Sequence, residues 1–360
     1  MKKVMIIFPK DSEAMFNAKS NRTFGGASVQ MYLFAKEIKN NQDIEVYSLI
    51  CDYDKIDFKD AVHFNLIKGF KESDNFILKI WKTHRMISKI KPDVIIQHGL
   101  TNESCLMSLY SYFRKIKFVF MFAHDVEVEK RFQSSGKKCY LFTLIMRYSH
   151  LLIVQNKYQL KSLIKSFNPY EEKINLIYNG FPVKKHIPKK YKTILWVARS
   201  DKWKKPELFI KLASMNPKKK FTMICPNSGN DEYYQNLINL SKSISNLEFI
   251  EFVPFDRIDK YFENAYLFVN TSDHEGYPQT FIQSVMNGVP ILSLNVDPDN
   301  FITNRNCGKV MAGDFELMNK ELDILMKNSK LYKKLSENAY NYFLNNHNIH
   351  ENVKKLINAL

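Results

Sequence analysis

The stretch from Asn270 to Asp299 (NTSDHEGYPQTFIQSVMNGVPILSLNVDPD) most narrows what this chain can become. An apolar run, Tyr266 to Val269, leads into a polar loop. Pro278 then opens an amphipathic helix, and Gly288 closes it just before a second apolar run, Pro290 to Leu294. The pattern predicts a strand, a loop, a helix and a strand. Proline suits the first helical turn, where its missing N–H has no intrahelical acceptor to lose, and glycine suits the left-handed position after the last turn. A helix N-terminus is thereby presented at the end of a strand. Its free amides, here those of Gln279 and Thr280, favour an anion such as phosphate, and the crevice beyond parallel strand ends is where α/β folds bind ligands. Glu275 stands just before this helix and Gln283 one turn in, so both can face a ligand whose phosphates rest on the amides. An ordinary strand–loop–helix repeat would show the same pattern, with Glu275 only complementing the helix dipole.

Apolar runs recur at Val4 to Phe8, Ile44 to Ile50, Val94 to Ile96, Phe118 to Ala123, Leu151 to Val154 and Ile174 to Ile177, separated by longer amphipathic stretches. They resume at Thr193 to Ala198, Phe221 to Cys225 and Leu247 to Val253. Such alternation predicts parallel sheets with helices on both faces. At 360 residues the chain exceeds what one core usually holds. Phe181 to Lys192 (FPVKKHIPKKYK) has two prolines, five lysines and no periodicity, a linker composition. The boundary is therefore placed there: residues 1–182 as a first Rossmann-like domain, 183–345 as a second.

With 45% hydrophobic and 14% aromatic residues, the chain can fill both cores. Five scattered cysteines, Cys51, Cys105, Cys139, Cys225 and Cys307, form no CxxC pair and read as buried thiols in a reducing cytosol. Val4 to Phe8 stops at Pro9-Lys10-Asp11, too short for a secretory signal, and no stretch approaches the roughly 18 apolar residues of a membrane span. A cytoplasmic protein, or one peripheral on the inner face of a membrane, is expected. Net charge is +16, which favours an anionic partner such as a membrane surface, an acidic glycan or a lipid phosphate, or else reflects lysine-rich composition alone. No recognised motif for nucleic acid accompanies the charge.

Several residues can carry chemistry. Gly25 and Gly26 precede a periodic segment, Val29 to Ile38, and such a pair lets backbone approach a ligand where a Cβ would clash. The GxGxxG fingerprint is absent, which argues against a nicotinamide dehydrogenase. His98 and His124 fall at strand ends, where a side chain faces the crevice, although a capping or loop-bonded histidine fits His98 better. Arg199 and Lys204 follow the strand Thr193 to Ala198, and two cations there can neutralise a leaving diphosphate, Arg199 by its fork and Lys204 as a point charge. Arg131 to Tyr158 mixes basic and large apolar residues as an interfacial helix does, and equally as an ordinary helix ahead of a strand does.

Glu275-Gly276-Tyr277-Pro278, followed by Gln283, by Asn287-Gly288-Val289-Pro290 and by Val296-Asp297-Pro298-Asp299, resembles the donor-site block of family-4 retaining glycosyltransferases of the GT-B fold. In most of that family the block carries two glutamates eight positions apart; here the second is Gln283, one fewer charge for binding ribose hydroxyls. Arg199 and Lys204 match the family's Arg-x4-Lys spacing. The resemblance implies two Rossmann-like domains facing a cleft, with residues 346–360 forming a helix that crosses back to the first. It implies a retaining hexosyltransferase that uses a nucleotide diphosphate sugar, UDP- or GDP-linked, and a glycan or lipid-linked acceptor in cell-surface polysaccharide biosynthesis, with no metal and no cofactor. By resemblance Arg199, Lys204, Glu275 and His124 are catalytic. Gly25, Gly26, Gly276, Tyr277, Gln279, Thr280 and Gln283 bind the donor, and the loops Pro226 to Asn230 and Pro254 to Arg257 lie near the base. A DxD string at Asp52 to Asp54 reads as a polar turn, and that at Asp297 to Asp299 as part of the block. Two further readings share these features: an epimerase or phosphorylase of the same fold, and a catalytically decayed basic protein binding anionic surfaces, for which Gln283 is the motive.

Overall fold

The computed structural model describes residues 1–17, 20, 22–53, 64–128, 136–166, 168–186 and 193–360. Asp54, residues 131–135 and the linker residues 187–192 lie outside the described residues, as do the side chains of Lys137, Lys138 and Cys139. Two compact units divide the chain, Met1–Gly180 with Ile349–Leu360, and Phe181–Asn348.

The first unit is built on a seven-stranded parallel sheet of order β3-β2-β1-β4-β5-β6-β7. Its strands are β1 (Lys2–Ile7), β2 (Ile44–Ile50), β3 (Leu66–Lys68), β4 (Val94–His98), β5 (Lys117–Met121), β6 (Leu151–Val154) and β7 (Ile174–Leu176). Every residue of β4 and β6 is buried, as expected of parallel strands covered by helices on both faces. The second unit has a six-stranded parallel sheet of order β10-β9-β8-β11-β12-β13. It comprises β8 (Thr193–Val197), β9 (Lys220–Ile224), β10 (Leu247–Ile250), β11 (Ala265–Asn270), β12 (Ile291–Ser293) and β13 (Gly308–Val310). Each sheet has one place where strand order reverses, between β1 and β4 in the first unit and between β8 and β11 in the second.

The apolar runs of the sequence become strands, the inner ones together with the edge strands β7 and β10. The two missed strands, β3 and β13, are three-residue edge strands, too short for any periodicity to show. In β13, Gly308 pairs with Ile291, and a Cβ there would overlap the Ile291 carbonyl. Within Arg131 to Tyr158 the helix is Gly136–Tyr148, and Phe142, Ile145 and Met146 are buried in the core of the first unit. Its apolar face is thus committed to the core, the ordinary-helix alternative. The last helix, Ile349–Ala359, packs on the helix Gly26–Ile38 through buried Ile349, Val353 and Leu356, with Asn352 Nδ2 donating to the Tyr178 carbonyl at 3.0 Å. Among the described residues no helix is long and apolar enough to cross a membrane.

Candidate functional site

In the second unit the helix after β11 spans Gln279–Met286, one residue later than the proline suggests, with Pro278 as N-cap. Phe281, Ile282, Val285 and Met286 are buried and hold it to the sheet. Gly288 adopts φ +60°, its N–H bonds the Val285 carbonyl, and the Val289 N–H bonds that of Ser284. This is the paired C-terminal closure that a left-handed glycine permits. At the other end, the Gln279 and Thr280 amides lie in the first turn without an intrahelical acceptor. The Gln279 side-chain Oε1 is buried and has no hydrogen-bond partner.

Two loops meet beside that helix terminus, one leaving β8 and one leaving β11, the strands flanking the reversal. Thr271, fully buried, joins them: its hydroxyl accepts from Trp196 Nε1 at 3.0 Å and donates to the Lys204 carbonyl at 2.7 Å. The Asp273 N–H donates to the Trp203 carbonyl, and Lys205 pairs with Asp273. Held this way, the Lys204 ammonium donates to the Glu275 carboxylate, with the two side chains 16% and 14% exposed. Ser272 Oγ donates to the same carboxylate oxygen at 2.9 Å, and Asn270 Nδ2 donates to Ser272 at 3.1 Å. Arg199 is freer: half exposed, it meets Asp201 at 3.2 Å. The loop after β9 is tied in by the Ser228 N–H, which donates to Ser200 Oγ at 2.9 Å.

The structure thus brings Lys204 and Glu275 into contact and sets both among the residues that open the helix, with Gln283 buried on its second turn. Tyr277 is engaged elsewhere: its hydroxyl bonds Tyr342 at 2.7 Å and His347 Nε2 at 2.8 Å, and its ring stacks on Phe301. Asp297 caps the short helix Phe301–Asn304, accepting from the Ile302 N–H at 2.8 Å and the Thr303 hydroxyl at 2.7 Å.

The remaining site candidates belong to the first unit. Gly25 caps the helix Gly26–Ile38, and its N–H donates to the Asp11 carboxylate at 2.6 Å, which also accepts from Ser28 Oγ. An acid from the chain itself therefore lies where the glycine pair suggests a phosphate. His124 is exposed after β5. Beside it lies Glu127, which no sequence signal marks, a buried carboxyl accepting from the Leu100 and Ala123 amides at 3.0 and 2.8 Å. Burial pushes its pKa up, while those amides and the charge of His124 work in the opposite direction. His98 is buried with its Nε2 against Gln155 at 2.7 Å, and burial lowers its pKa to about 3. The four cysteines whose side chains are described are buried free thiols; burial raises Cys51 to about 11 and Cys105, Cys225 and Cys307 to about 12.

Two Rossmann-like parallel-sheet units define the GT-B glycosyltransferase fold, and solved structures of that fold superpose on the chain. HepE from Anabaena in complex with UDP gives a TM-score of 0.77 at 12% identity, covering 100% of both chains. A UDP-GlcNAc 2-epimerase from Neisseria meningitidis bound to UDP-GlcNAc gives 0.64 at 14%, covering 99% of each. Residues 180–342 match the model of the family glycosyl transferases group 1. An uncharacterized glycosyltransferase of Haemophilus influenzae is 26% identical over 189 residues, 51% of this chain and 51% of its own, so the match spans about half the length of that relative.

Proposed function

We propose that the protein transfers a sugar from a nucleotide diphosphate sugar to a glycan or lipid-linked acceptor with retention of configuration, in polysaccharide assembly on the cytoplasmic side of a membrane. The observation that carries this reading is the convergence of Lys204, Glu275 and the opening turn of Gln279–Met286 at the strand reversal of the second unit. As the glycosidic bond loosens, the leaving diphosphate gathers negative charge. Lys204, Arg199 and the Gln279 and Thr280 amides stabilise that charge as fixed positive groups, so no metal is required. When the diphosphate takes Lys204, Glu275 is released to accept from sugar hydroxyls, still held by Ser272. Gly276 and Tyr277 contribute through backbone, since the Tyr277 hydroxyl is already bonded. Gln283 meets the ribose with one donor and one acceptor.

The test is thermal stabilisation by UDP, GDP and their sugars, without and with magnesium, because a ligand at 100 times its Kd adds about 2.7 kcal/mol. A shift with one base that does not need magnesium is expected; no shift with any nucleotide would sink the reading. Lys204→Ala and Arg199→Ala should each lower transfer by about 10²- to 10³-fold, the usual effect of removing one group that stabilises developing charge. The epimerase likeness supports a second reading, in which the donor reacts without an acceptor. Incubating the nucleotide sugar alone and following the sugar by NMR separates the two.

A further inference from the structure

The two loops that carry Lys204 and Glu275 meet over three consecutive residues of each, Trp203 to Lys205 on the loop leaving β8 and Asp273 to Glu275 on the loop leaving β11. Every side chain of one stretch meets one of the other. Lys204 pairs with Glu275, Lys205 pairs with Asp273, and the Trp203 and His274 rings lie within 19° of parallel with centroids 6.3 Å apart. One backbone bond joins the stretches, from the Asp273 N–H to the Trp203 carbonyl at 2.8 Å.

The two ion pairs differ in their surroundings. Lys204 and Glu275 are nearly buried, whereas the Lys205 and Asp273 side chains are 34% and 41% exposed, and a pair that open to water adds little stability. The backbone at Lys205 works against stability. This residue stands between a short helical turn, Lys202–Lys204, and Pro206, which opens the helix Pro206–Ser214 and disfavours right-handed helical backbone in the residue before it. Lys205 takes φ 48° and ψ 52°, the left-handed region, where a Cβ is crowded and a glycine is not. Glycine would hold the turn more easily; lysine adds an ammonium that reaches Asp273 beside the residue that aims at the diphosphate. Backbone held in a sparsely populated region beside a site points to a role in that site.

We propose that Lys205 and Asp273 are positioning residues, a clamp that keeps the two loops in register while a diphosphate draws Lys204 away from Glu275. The inference rests on the transferase reading, in which binding breaks the central pair. The Lys205–Asp273 pair and the Trp203–His274 contact are then the side-chain ties left between the two stretches. With the clamp removed, Lys204 and Glu275 separate in the free protein, and nucleotide binding has to order both loops, which weakens it.

Isothermal calorimetry of the full chain with UDP and GDP tests the clamp in Lys205→Gly and Asp273→Asn. A direct effect of charge on the diphosphate predicts opposite signs, weaker binding on losing the lysine and tighter binding on losing the aspartate. The clamp predicts weaker binding in both, by about three- to fivefold, the most that a pair of this exposure supplies. The double variant should be no weaker than the poorer single one, and reversing the pair as Lys205→Asp with Asp273→Lys should restore affinity to within about twofold of wild type. Near-UV circular dichroism reports whether each variant is folded, and Lys205→Asn, which also tolerates left-handed backbone, replaces Lys205→Gly if that one is not. A second measurement needs no nucleotide: the coupling between Lys204→Met and Glu275→Gln in chemical denaturation should fall by about half in an Asp273→Asn background. Binding by Asp273→Asn as tight as wild type or tighter, or a coupling that Asp273→Asn leaves unchanged, would overturn the proposal. Nucleotide binding by wild type that both variants match defeats the clamp alone. A wild type that binds neither nucleotide, with the coupling halved by Asp273→Asn, defeats the transferase reading and leaves the clamp standing.

Discussion

At the scale of single residues, the contact between Lys204 and Glu275 explains how the site keeps two charges ready at little cost. Each is nearly buried, and either alone would be an uncompensated charge. Glu275→Gln and Lys204→Met should therefore each lower stability by about 1–3 kcal/mol, while the double variant loses less than their sum. Chemical denaturation of the four proteins without nucleotide measures that coupling; strict additivity would show that the pair does not interact. His98 gives a second prediction with a definite sign. Its pKa is about 3 when folded against 6.5 unfolded, so between those values the unfolded chain binds more protons. Its contribution is intact above pH 6.5 and is lost as pH falls, by about 2 kcal/mol at pH 5. Wild type should lose that much more than His98→Phe between pH 7.5 and pH 5; parallel pH profiles would mean that His98 protonates readily in the fold.

At the scale of elements, both ends of the helix Gln279–Met286 could be read from the sequence, because Pro278 and Gly288 act through their own backbone preferences. Gly288 does take positive φ, and a Cβ there would also run into the His186 ring. Gly308 could not be read in the same way. Its requirement comes from the Ile291 carbonyl, distant in sequence, in an edge strand with no pattern of its own. Gly308→Ala should cost about 3 kcal/mol, at the upper end of overpacking effects, because the obstructing atom is backbone and cannot rotate away. A denaturant midpoint unchanged from wild type would contradict this. Likewise the apolar spacing of Phe76–Ile90 announces a helix, yet only packing shows that Thr83, Ile87 and Ile90 turn inward while Phe76, Ile77, Ile80 and Trp81 remain outside.

At the scale of the whole molecule, the chain builds the same parallel α/β layout twice, with the Lys204–Glu275 pair at the strand reversal of the second unit and, at that of the first, a cavity whose apolar walls also carry Lys10, Asp11, Lys79 and Glu103. The last helix is part of the first unit although it follows the second in sequence. Leu356 is fully buried there, so Leu356→Ala should destabilise the first unit by about 2–5 kcal/mol. The thermal shift with nucleotide should persist in that variant; its loss would place Leu356 in the support of the second unit. The sequence alone determined the strand–helix alternation, the helix that Pro278 and Gly288 bracket, and the candidate cations Arg199 and Lys204. Those signals are local, carried by periodicity and by the backbone preferences of single residues. The tertiary structure alone decided that Lys204 bonds Glu275, that Asp11 takes the Gly25 amide and that Glu127 is buried. Each of these depends on which strand ends lie side by side, and that order follows from sheet pairing between segments far apart in the chain.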